Sequence, residues 1–230
     1  TCARVEIVPT PARNTTDRVR TMLFSTRPDM ADRLASDEFR NRLLQIIREE
    51  RFDAIHVEGL ELASYIRTMI PRKHKTPSPM LIFDAHNAET LIQKRAFLTD
   101  LRNPSRWPAA LYSLLQFPRL QRFEREICAS VDKVLCVSQE DASILNGLKT
   151  GVNPVLVPNG LWLSDYETPH QAATIPHCSL VFSGKMDYRP NVDAAIWFAH
   201  EIFPRIREEQ MGEAEFVIVG KDPVERVRRL

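Results

Sequence analysis

Polar side chains suited to catalysis or ligand binding follow two apolar segments of this sequence. Glu58 comes directly after residues 54–57, and His86 comes three residues after the apolar segment 80–83. Short apolar runs with polar borders are typical of buried parallel strands. Open parallel sheets bind ligands at the loops that leave the carboxyl ends of their strands. We therefore expect the chemistry of this protein at that edge of a sheet.

His86 is the residue best suited to direct chemistry. One ring nitrogen can hydrogen bond to a ligand while Asp84 or a backbone carbonyl orients the other, and Asn87 can cap the helix that follows. The alternative is a structural histidine whose hydrogen bonds are satisfied at the strand end. Because no Ser–His or Cys–His motif accompanies His86, a hydrolase triad has no support in the sequence.

A second cluster follows a later strand. Gly184 precedes Lys185, and Arg189 comes four residues after that. Two cations beside the N–H groups of a helix start make a site for a phosphate or diphosphate, and glycine lets the backbone approach the ligand. The alternative is a solvated loop with two surface cations.

These residues are positioned by short strands that alternate with amphipathic helices. Helical periodicity is clear at 37–51, where the apolar residues share one face, and Ser138 is placed to cap a helix over 140–148. The pattern indicates an α/β fold with a doubly wound parallel sheet. Strands are predicted at 5–8, 54–57, 80–83, 133–137, 154–157, 179–183 and 215–219.

The composition changes after Asn159, where a polar, proline-containing stretch has no helical or strand periodicity. We therefore predict an N-terminal domain at 1–160, an interdomain crossing at 161–177 and a second domain that starts at 178 and runs to 230. The last residues read as an unfinished helix. We expect the chain to be an internal piece of a longer protein, with the N-terminal domain nearly complete and the second only begun.

Composition excludes several classes of function. The 31 Lys and Arg residues balance 30 Asp and Glu residues, so the composition lacks the excess of positive charge typical of nucleic-acid-binding domains. Its 7 glycines form neither a dinucleotide fingerprint nor a P-loop. The 4 cysteines have no CxxC spacing, which favours free thiols in a reducing, cytoplasmic compartment and argues against a zinc site.

Several short motifs, all at predicted strand ends, resemble family-4 glycosyltransferases. The likeness is greatest to the sugar transferases associated with exopolysaccharide export, and it spans about residues 5–230. The motifs are FDAIHVE at 52–58, FDAHNAE at 83–89, VLCVS at 134–138, VPNG at 157–160, LVFSGKMDYRPNVDAAIWF at 180–198 and FVIVG at 216–220.

The resemblance implies the GT-B fold, in which two Rossmann-like domains face each other across a cleft. It also implies transfer of a sugar from a nucleotide-sugar donor to a hydroxyl of a glycan or lipid-linked acceptor. The family retains the anomeric configuration and usually works without a bound metal, so no cofactor is expected. This activity belongs to polysaccharide or glycoconjugate synthesis.

The resemblance also assigns roles to individual residues. His86 matches the catalytic histidine near the transferred sugar. Gly184 and Lys185 match the loop that faces the donor diphosphate, with Arg189 as a second cation. The other matched positions belong to the acceptor side or the cleft, and they are Glu58, Asn87, Ser138, Asn159 and Gly160.

Two departures from the family pattern leave alternatives open. The family's first strand with its glycine-rich loop has no counterpart, and neither has the paired-glutamate motif that holds the donor's ribose and sugar. We therefore expect this segment to be inactive by itself. The alternatives are a non-catalytic α/β scaffold that binds sugars or nucleotides, and a GT-B sugar-nucleotide epimerase, which needs catalytic carboxylates that face the sugar.

A basic amphipathic stretch at 111–127 follows Trp107. It combines Leu114, Leu115 and other apolar residues with three arginines. Such a helix can lie on an anionic membrane surface, or it can pack on the protein's own sheet. We expect a cytoplasmic protein, with peripheral contact at the inner membrane face as an open option.

Overall fold

The structure is a computed structural model that describes residues 3–69, 78–167, 178–209 and 214–230. The chain divides into two compact units, Thr1–Gly160 and Leu161–Leu230. Part of the predicted interdomain crossing at 161–177 lies outside the described residues, namely 168–177. Before that gap, Leu163–Tyr166 forms a short 3-10 turn.

The first unit contains a four-stranded parallel sheet in the order β1-β2-β3-β4. The predicted α/β class is therefore confirmed. The strands are β1 (Ala54–Glu58), β2 (Met80–Ala85), β3 (Lys133–Cys136) and β4 (Val155–Leu156). The helices are α1 (Thr15–Phe24), α2 (Asp29–Arg33), α3 (Asp37–Glu49), α4 (Ile66–Met69), α5 (Glu89–Leu101), α6 (Trp107–Cys128) and α7 (Gln139–Gly147).

The strand register brings the ends of β1, β2 and β3 to one edge of the sheet. Glu58 pairs with Asp84, and Ala85 pairs with Cys136. Because all strands run in the same direction, the loops that leave their carboxyl ends meet at this edge. We call it the carboxyl edge.

The core of the first unit covers one face of β2 more completely than the other. Leu81, Phe83 and Ala85 are buried, whereas the alternate residues of the strand are only partly covered or exposed. Successive side chains of a strand point to opposite faces. The apolar run at 80–83 predicts a strand buried on both faces. This prediction is wrong for the face that carries Met80, Ile82 and Asp84.

The strand predicted at 5–8 is also wrong. No strand forms there, and the side chains of Val5 and Ile7 are exposed. The segment is instead tied to α3 by an ion pair between Glu6 and Arg42, whose hydrogen bond lowers the pKa of the Glu6 carboxyl. Alternating apolar residues favour a strand only where a neighbouring strand offers pairing and burial, and this segment has neither.

The second unit is a smaller β-α-β arrangement. Strand β5 (Ser179–Ser183) pairs in parallel with β6 (Glu215–Val219), as predicted. Helix α8 (Arg189–Trp197) continues through a π-helical turn, Phe198–Ile202, into α9 (Phe203–Glu209), and α10 (Glu225–Arg228) follows β6. Its small core contains the buried side chains Met186, Val192 and Val227.

Candidate functional site

A histidine–carboxylate pair lies at the carboxyl edge of the first unit. His86 Nε2 is 2.8 Å from Glu58 Oε1. Glu58 ends β1 and His86 follows β2 directly, so the parallel pairing of these strands brings them together. Because a carboxylate oxygen can only accept, Nε2 is the nitrogen that donates. Within the described residues, Nδ1 of His86 has no partner and is left to a ligand.

Asp84, the side chain predicted to orient His86, serves another histidine. Asp84 Oδ2 lies 3.1 Å from His56 Nε2, and the Asp84 carbonyl accepts from the Gly59 N–H at 3.0 Å. The register places Asp84 beside Glu58, so His86, two residues further along, meets the end of β1. Gly59 has a φ of +78°, a left-handed conformation that glycine adopts at little cost. The predicted pairing of Asp84 with His86 is therefore wrong.

The start of α5 is capped by distant carboxylates and not by Asn87. The N-cap residue is Ala88, whose side chain makes no capping bond. The Ala88 N–H donates to the Asp141 carboxylate and the Glu89 N–H to the Glu124 carboxylate, each at 2.8 Å. These bonds satisfy N–H groups at a helix start that otherwise lack a partner. The predicted cap is wrong, and Asn87 is an exposed residue of this edge.

A group of carboxylates surrounds the first turn of α5. Glu89 is partly buried near Glu61, Glu124 and Asp141, and the Arg33 guanidinium partly offsets their charge. Burial, reinforced by the neighbouring carboxylates, raises the pKa of Glu89 to about 7. Burial also raises the pKa of Glu124. Glu89 therefore gains or loses its proton close to neutral pH, three residues from His86.

Sequence reasoning missed Glu124, although the pattern contained a signal for it. Helix α6 buries Leu120, Phe123 and Ile127, and helical periodicity places Glu124 on the same face. A carboxylate on a buried face requires hydrogen-bond donors. Here the N–H groups of Glu89 and Thr90 and the Thr90 hydroxyl supply them.

We expect Glu89→Gln to remove a pH dependence of stability. The folded-state pKa of Glu89, about 7, lies above its ordinary value of 4.5. A raised carboxyl pKa makes the free energy of unfolding fall as the pH rises between these values. With solvent screening of a partly exposed group, the change is about 1–2 kcal/mol.

The measurement is urea unfolding between about pH 4.5 and pH 7.5, a window that spans the two pKa values. Glu140→Gln is the control, because Glu140 is an exposed glutamate on the neighbouring α7. Equal slopes in wild type and Glu89→Gln would contradict the expected proton uptake on folding.

Three further predicted positions lie on loops that follow β3 and β4. Ser138 caps α7 as predicted, since its hydroxyl accepts from the Asp141 N–H at 3.1 Å. Asn159 and Gly160 are exposed after β4. A side chain at Gly160 would meet no atom within 4 Å. The Ser138 hydroxyl is thus already used in the fold, whereas Asn159 remains accessible.

The loop after β5 in the second unit carries Lys185. Its Nζ lies 3.0 Å from Asp187 Oδ2, and this bond raises the pKa of the ammonium group. The backbone N–H groups of Lys185 and Asp187 have no partner within the described residues. Free N–H groups beside a cation can bind an anion. We call residues 184–188 the Lys185 loop.

Two N–H groups at the start of α8 are used within the fold. The N–H groups of Asn191 and Val192 donate to the Tyr188 carbonyl at 3.0 and 3.1 Å. These two groups are therefore not free for an anion, and the participation of the helix start in a phosphate site stays a prediction. Arg189 lies on the first turn, with Nε 3.4 Å from Asp193 Oδ2.

Two glycines hold the Lys185 loop against the end of β6. A Cβ atom on Gly220 would lie 1.7 Å from the Gly184 carbonyl oxygen. The Gly184 N–H donates to the Val219 carbonyl at 2.9 Å, and Asn191 Nδ2 donates to the Lys185 carbonyl at 3.0 Å. Backbone contact thus sets the position of the loop, and only glycine fits at Gly220.

Cys128 and Cys136 are buried free thiols. Burial raises the pKa of Cys128 to about 12 and also raises that of Cys136. Cys136 lies buried in β3, as predicted.

The described residues were also searched for metal sites and membrane spans. In this part of the chain, no group of three or more His, Cys, Asp or Glu side chains is arranged to hold a metal ion. None of its helices combines the length and the apolar character that a membrane span requires.

Comparison with known proteins identifies one family. Residues 4–164 match Glycosyltransferase Family 4. The matched region includes the whole sheet of the first unit and the His86–Glu58 pair. Searches among curated proteins and among solved structures gave no match.

Proposed function

Because the chain belongs to glycosyltransferase family 4, we propose that it transfers a sugar from a nucleotide-sugar donor to an acceptor hydroxyl with retention of the anomeric configuration. The observation that carries this proposal is the His86–Glu58 pair at the carboxyl edge, inside the matched region. We further propose that the reaction serves polysaccharide or exopolysaccharide synthesis in the cytoplasm.

His86 is the catalytic residue of this proposal. With Nε2 donating to Glu58, the ring of neutral His86 offers Nδ1 as an acceptor for a sugar hydroxyl. Glu58 fixes both the tautomer and the orientation of the ring. A hydroxyl held in this way orients the sugar ring for reaction, and correct orientation of reactants lowers the barrier.

The Lys185 loop is proposed to bind the donor diphosphate. Transfer breaks the bond between the anomeric carbon and a phosphate oxygen, forms a bond to the acceptor oxygen and moves the acceptor's hydroxyl proton to the leaving group. Negative charge develops on the leaving phosphate. The Lys185 ammonium and the free N–H groups of Lys185 and Asp187 can stabilise this charge. Arg189 is proposed as a second cation, and the proposal needs no bound metal.

The other exposed groups of the carboxyl edge are proposed to contact the acceptor, which is a glycan or a lipid-linked sugar. The exposed candidates are Glu58, Asn87 and Asn159. Ser138 and Gly160 belong to the same edge through the α7 cap and the loop after β4.

Lys185→Ala tests this proposal. Charge-assisted hydrogen bonds to phosphate are each worth about 1.5–3 kcal/mol, so donor affinity or turnover should fall by about ten- to a hundredfold. Because charge grows on the leaving group, we expect a loss in kcat as well as in the apparent affinity. The measurement is steady-state sugar transfer by the full-length protein at varied donor concentration.

Lys94→Ala is the matched control for this experiment. Lys94 is exposed on α5, and alanine suits a helix interior. If Lys94→Ala and Lys185→Ala lose activity equally, the donor diphosphate does not bind at the Lys185 loop. A separate reaction contains the donor and no acceptor. If this reaction yields an isomerised sugar nucleotide, the protein is an epimerase and not a transferase.

Peripheral membrane contact is a separate part of the proposal. Leu120 and Phe123 of the predicted amphipathic stretch are buried in the core, so this half of α6 is not available to a membrane. The exposed apolar residues lie where α5 ends and α6 begins, with Trp107 Nε1 donating to the Leu101 carbonyl at 3.3 Å. They are Leu98, Leu101, Trp107, Leu111, Leu114 and Leu115.

We expect a Trp107→Ser/Leu111→Ser variant to lose co-sedimentation with phosphatidylglycerol vesicles by several-fold, because it removes two exposed apolar side chains that would insert at the membrane surface. Phe24→Ser, an exposed apolar residue of α1, is the control. Unchanged binding of the double variant would show that this face does not contact the membrane.

A further inference from the structure

We infer that a cavity in the first unit, lined by none of the residues assigned above to the carboxyl edge, is a binding site for a phosphate-bearing ligand. The cavity has a volume of about 400 Å³, within the usual range of small-molecule sites. Three arginines and three hydroxyl-bearing residues line it, and no acidic residue is among the lining residues. The lining residues are Arg27, Ala35, Arg40, Ser64, Tyr65, Arg67 and Thr68.

The wall of the cavity is preorganised by Tyr65. This buried side chain accepts a hydrogen bond from the Ser36 N–H and donates one to the Leu34 carbonyl, both at 2.8 Å. Its ring also packs on Phe39, with 4.7 Å between the centroids. Tyr65 thus fixes the turn before α3 that carries Ala35, so little ordering is required when a ligand binds.

The three arginines retain capacity to bind an anion. Arg27 and Arg67 lie 3.4 and 3.6 Å from the nearest carboxylate oxygens, those of Asp32 and Glu126. These distances are longer than the usual charge-assisted hydrogen bond of about 2.7–2.9 Å. Arg40 pairs more closely with Asp37, at 2.5 Å.

A guanidinium has five N–H donors, and one carboxylate occupies at most two of them. All three side chains are also about half exposed, so a ligand can reach them from solvent. The acidic partners lie outside the lining of the cavity, which leaves a cationic surface inside it.

A hydroxyl group completes the donor set. The Ser64 hydroxyl has no hydrogen-bond partner within the described residues, so it can donate to a ligand. The Thr68 hydroxyl donates to the Tyr65 carbonyl at 2.6 Å, so its proton is already used within the fold. Planar guanidinium groups with an adjacent hydroxyl match the several acceptor oxygens of a phosphate.

This inference goes beyond the proposed transfer reaction, because the cavity lies in the first unit and the Lys185 loop in the second. The phosphate can belong to a free ligand, such as a sugar phosphate, or to a lipid headgroup. Both sources present the same phosphate group to the arginines, and a binding experiment with two arms distinguishes a free ligand from a lipid headgroup.

The first arm is calorimetric titration of the chain with inorganic pyrophosphate. The second is co-sedimentation with phosphatidylcholine vesicles that contain phosphatidic acid. Arg40→Gln and Arg67→Gln remove one cation each from partly exposed positions, where loss of the existing ion pair costs little stability. We expect each variant to weaken binding by about five- to tenfold in at least one arm.

Two control variants separate this cavity from other basic surfaces. Arg95→Gln removes an exposed arginine whose partner is Glu140, and it should leave binding unchanged. Lys185→Ala should leave phosphate binding at this cavity intact even if it abolishes transfer. Failure of both probes to bind, or binding that is insensitive to both Arg40→Gln and Arg67→Gln, would overturn the inference.

Discussion

Sugar transfer by His86→Ala is expected to fall by about 100-fold or more, the usual scale for loss of a positioned histidine. His86 lies at the carboxyl edge, where Glu58 holds Nε2 at 2.8 Å and leaves Nδ1 for a sugar hydroxyl. The side chain of His86 is 45% exposed, and within the described residues Glu58 is its hydrogen-bond partner. Its removal should therefore change the free energy of unfolding by less than about 0.5 kcal/mol. Transfer assays and urea unfolding of the full-length protein measure the two effects.

His56→Ala is the matched control for this experiment. His56 is also an exposed histidine paired with a carboxylate across β1 and β2, at 3.1 Å from Asp84. The His56→Ala variant should keep most of the transfer activity. Glu58→Gln should lose less activity than His86→Ala, because the amide oxygen can still accept from Nε2. Near-normal turnover by His86→Ala would remove this residue from catalysis.

Gly220→Ala should displace the Lys185 loop and abolish donor binding. The added Cβ would lie 1.7 Å from the Gly184 carbonyl oxygen and 2.9 Å from its carbon. Because the obstacle is backbone and not a flexible side chain, the end of β5 or β6 must shift. We expect a cost of about 3 kcal/mol, at the upper end of the range for overpacking. Hydrogen exchange should show faster exchange in β5 and β6, with β1, β2 and β3 unchanged.

Gly147→Ala controls for the substitution itself. Gly147 is the last residue of α7, and a Cβ there meets no atom within 4 Å. Alanine favours a helix over glycine by about 1 kcal/mol, so this variant should be at least as stable as wild type. If Gly220→Ala keeps wild-type exchange and donor affinity, close backbone contact does not position the Lys185 loop.

Local pattern was sufficient to locate most elements of the fold. Strands β5 and β6 lie where their apolar runs predict them, and Ser138 caps α7 through the Asp141 N–H. Both signals act within a few residues: an apolar run marks a strand, and a hydroxyl reaches the N–H group three residues on. The motifs at the strand ends also indicated the family that residues 4–164 match.

The same local pattern failed where a distant partner decides the outcome. Residues 5–8 are mostly apolar like a strand, yet they pair with none of the strands in the described part of the chain. Asn87 is a good capping residue, but Glu124 and Asp141 take the N–H groups at the start of α5. Glu124 itself is 37 residues from Asn87, so no local rule connects the two.

The sequence by itself determined that His86 stands at the end of a strand, on an edge suited to ligands. Only the tertiary structure decided that Glu58 is the hydrogen-bond partner of His86 and that Asp84 pairs with His56. The physical reason is register. His86 Nε2 and Glu58 Oε1 belong to residues 28 apart in the sequence, and they lie 2.8 Å apart because β1 and β2 pair with Glu58 beside Asp84. That alignment depends on the packing of the whole sheet and not on the residues near His86.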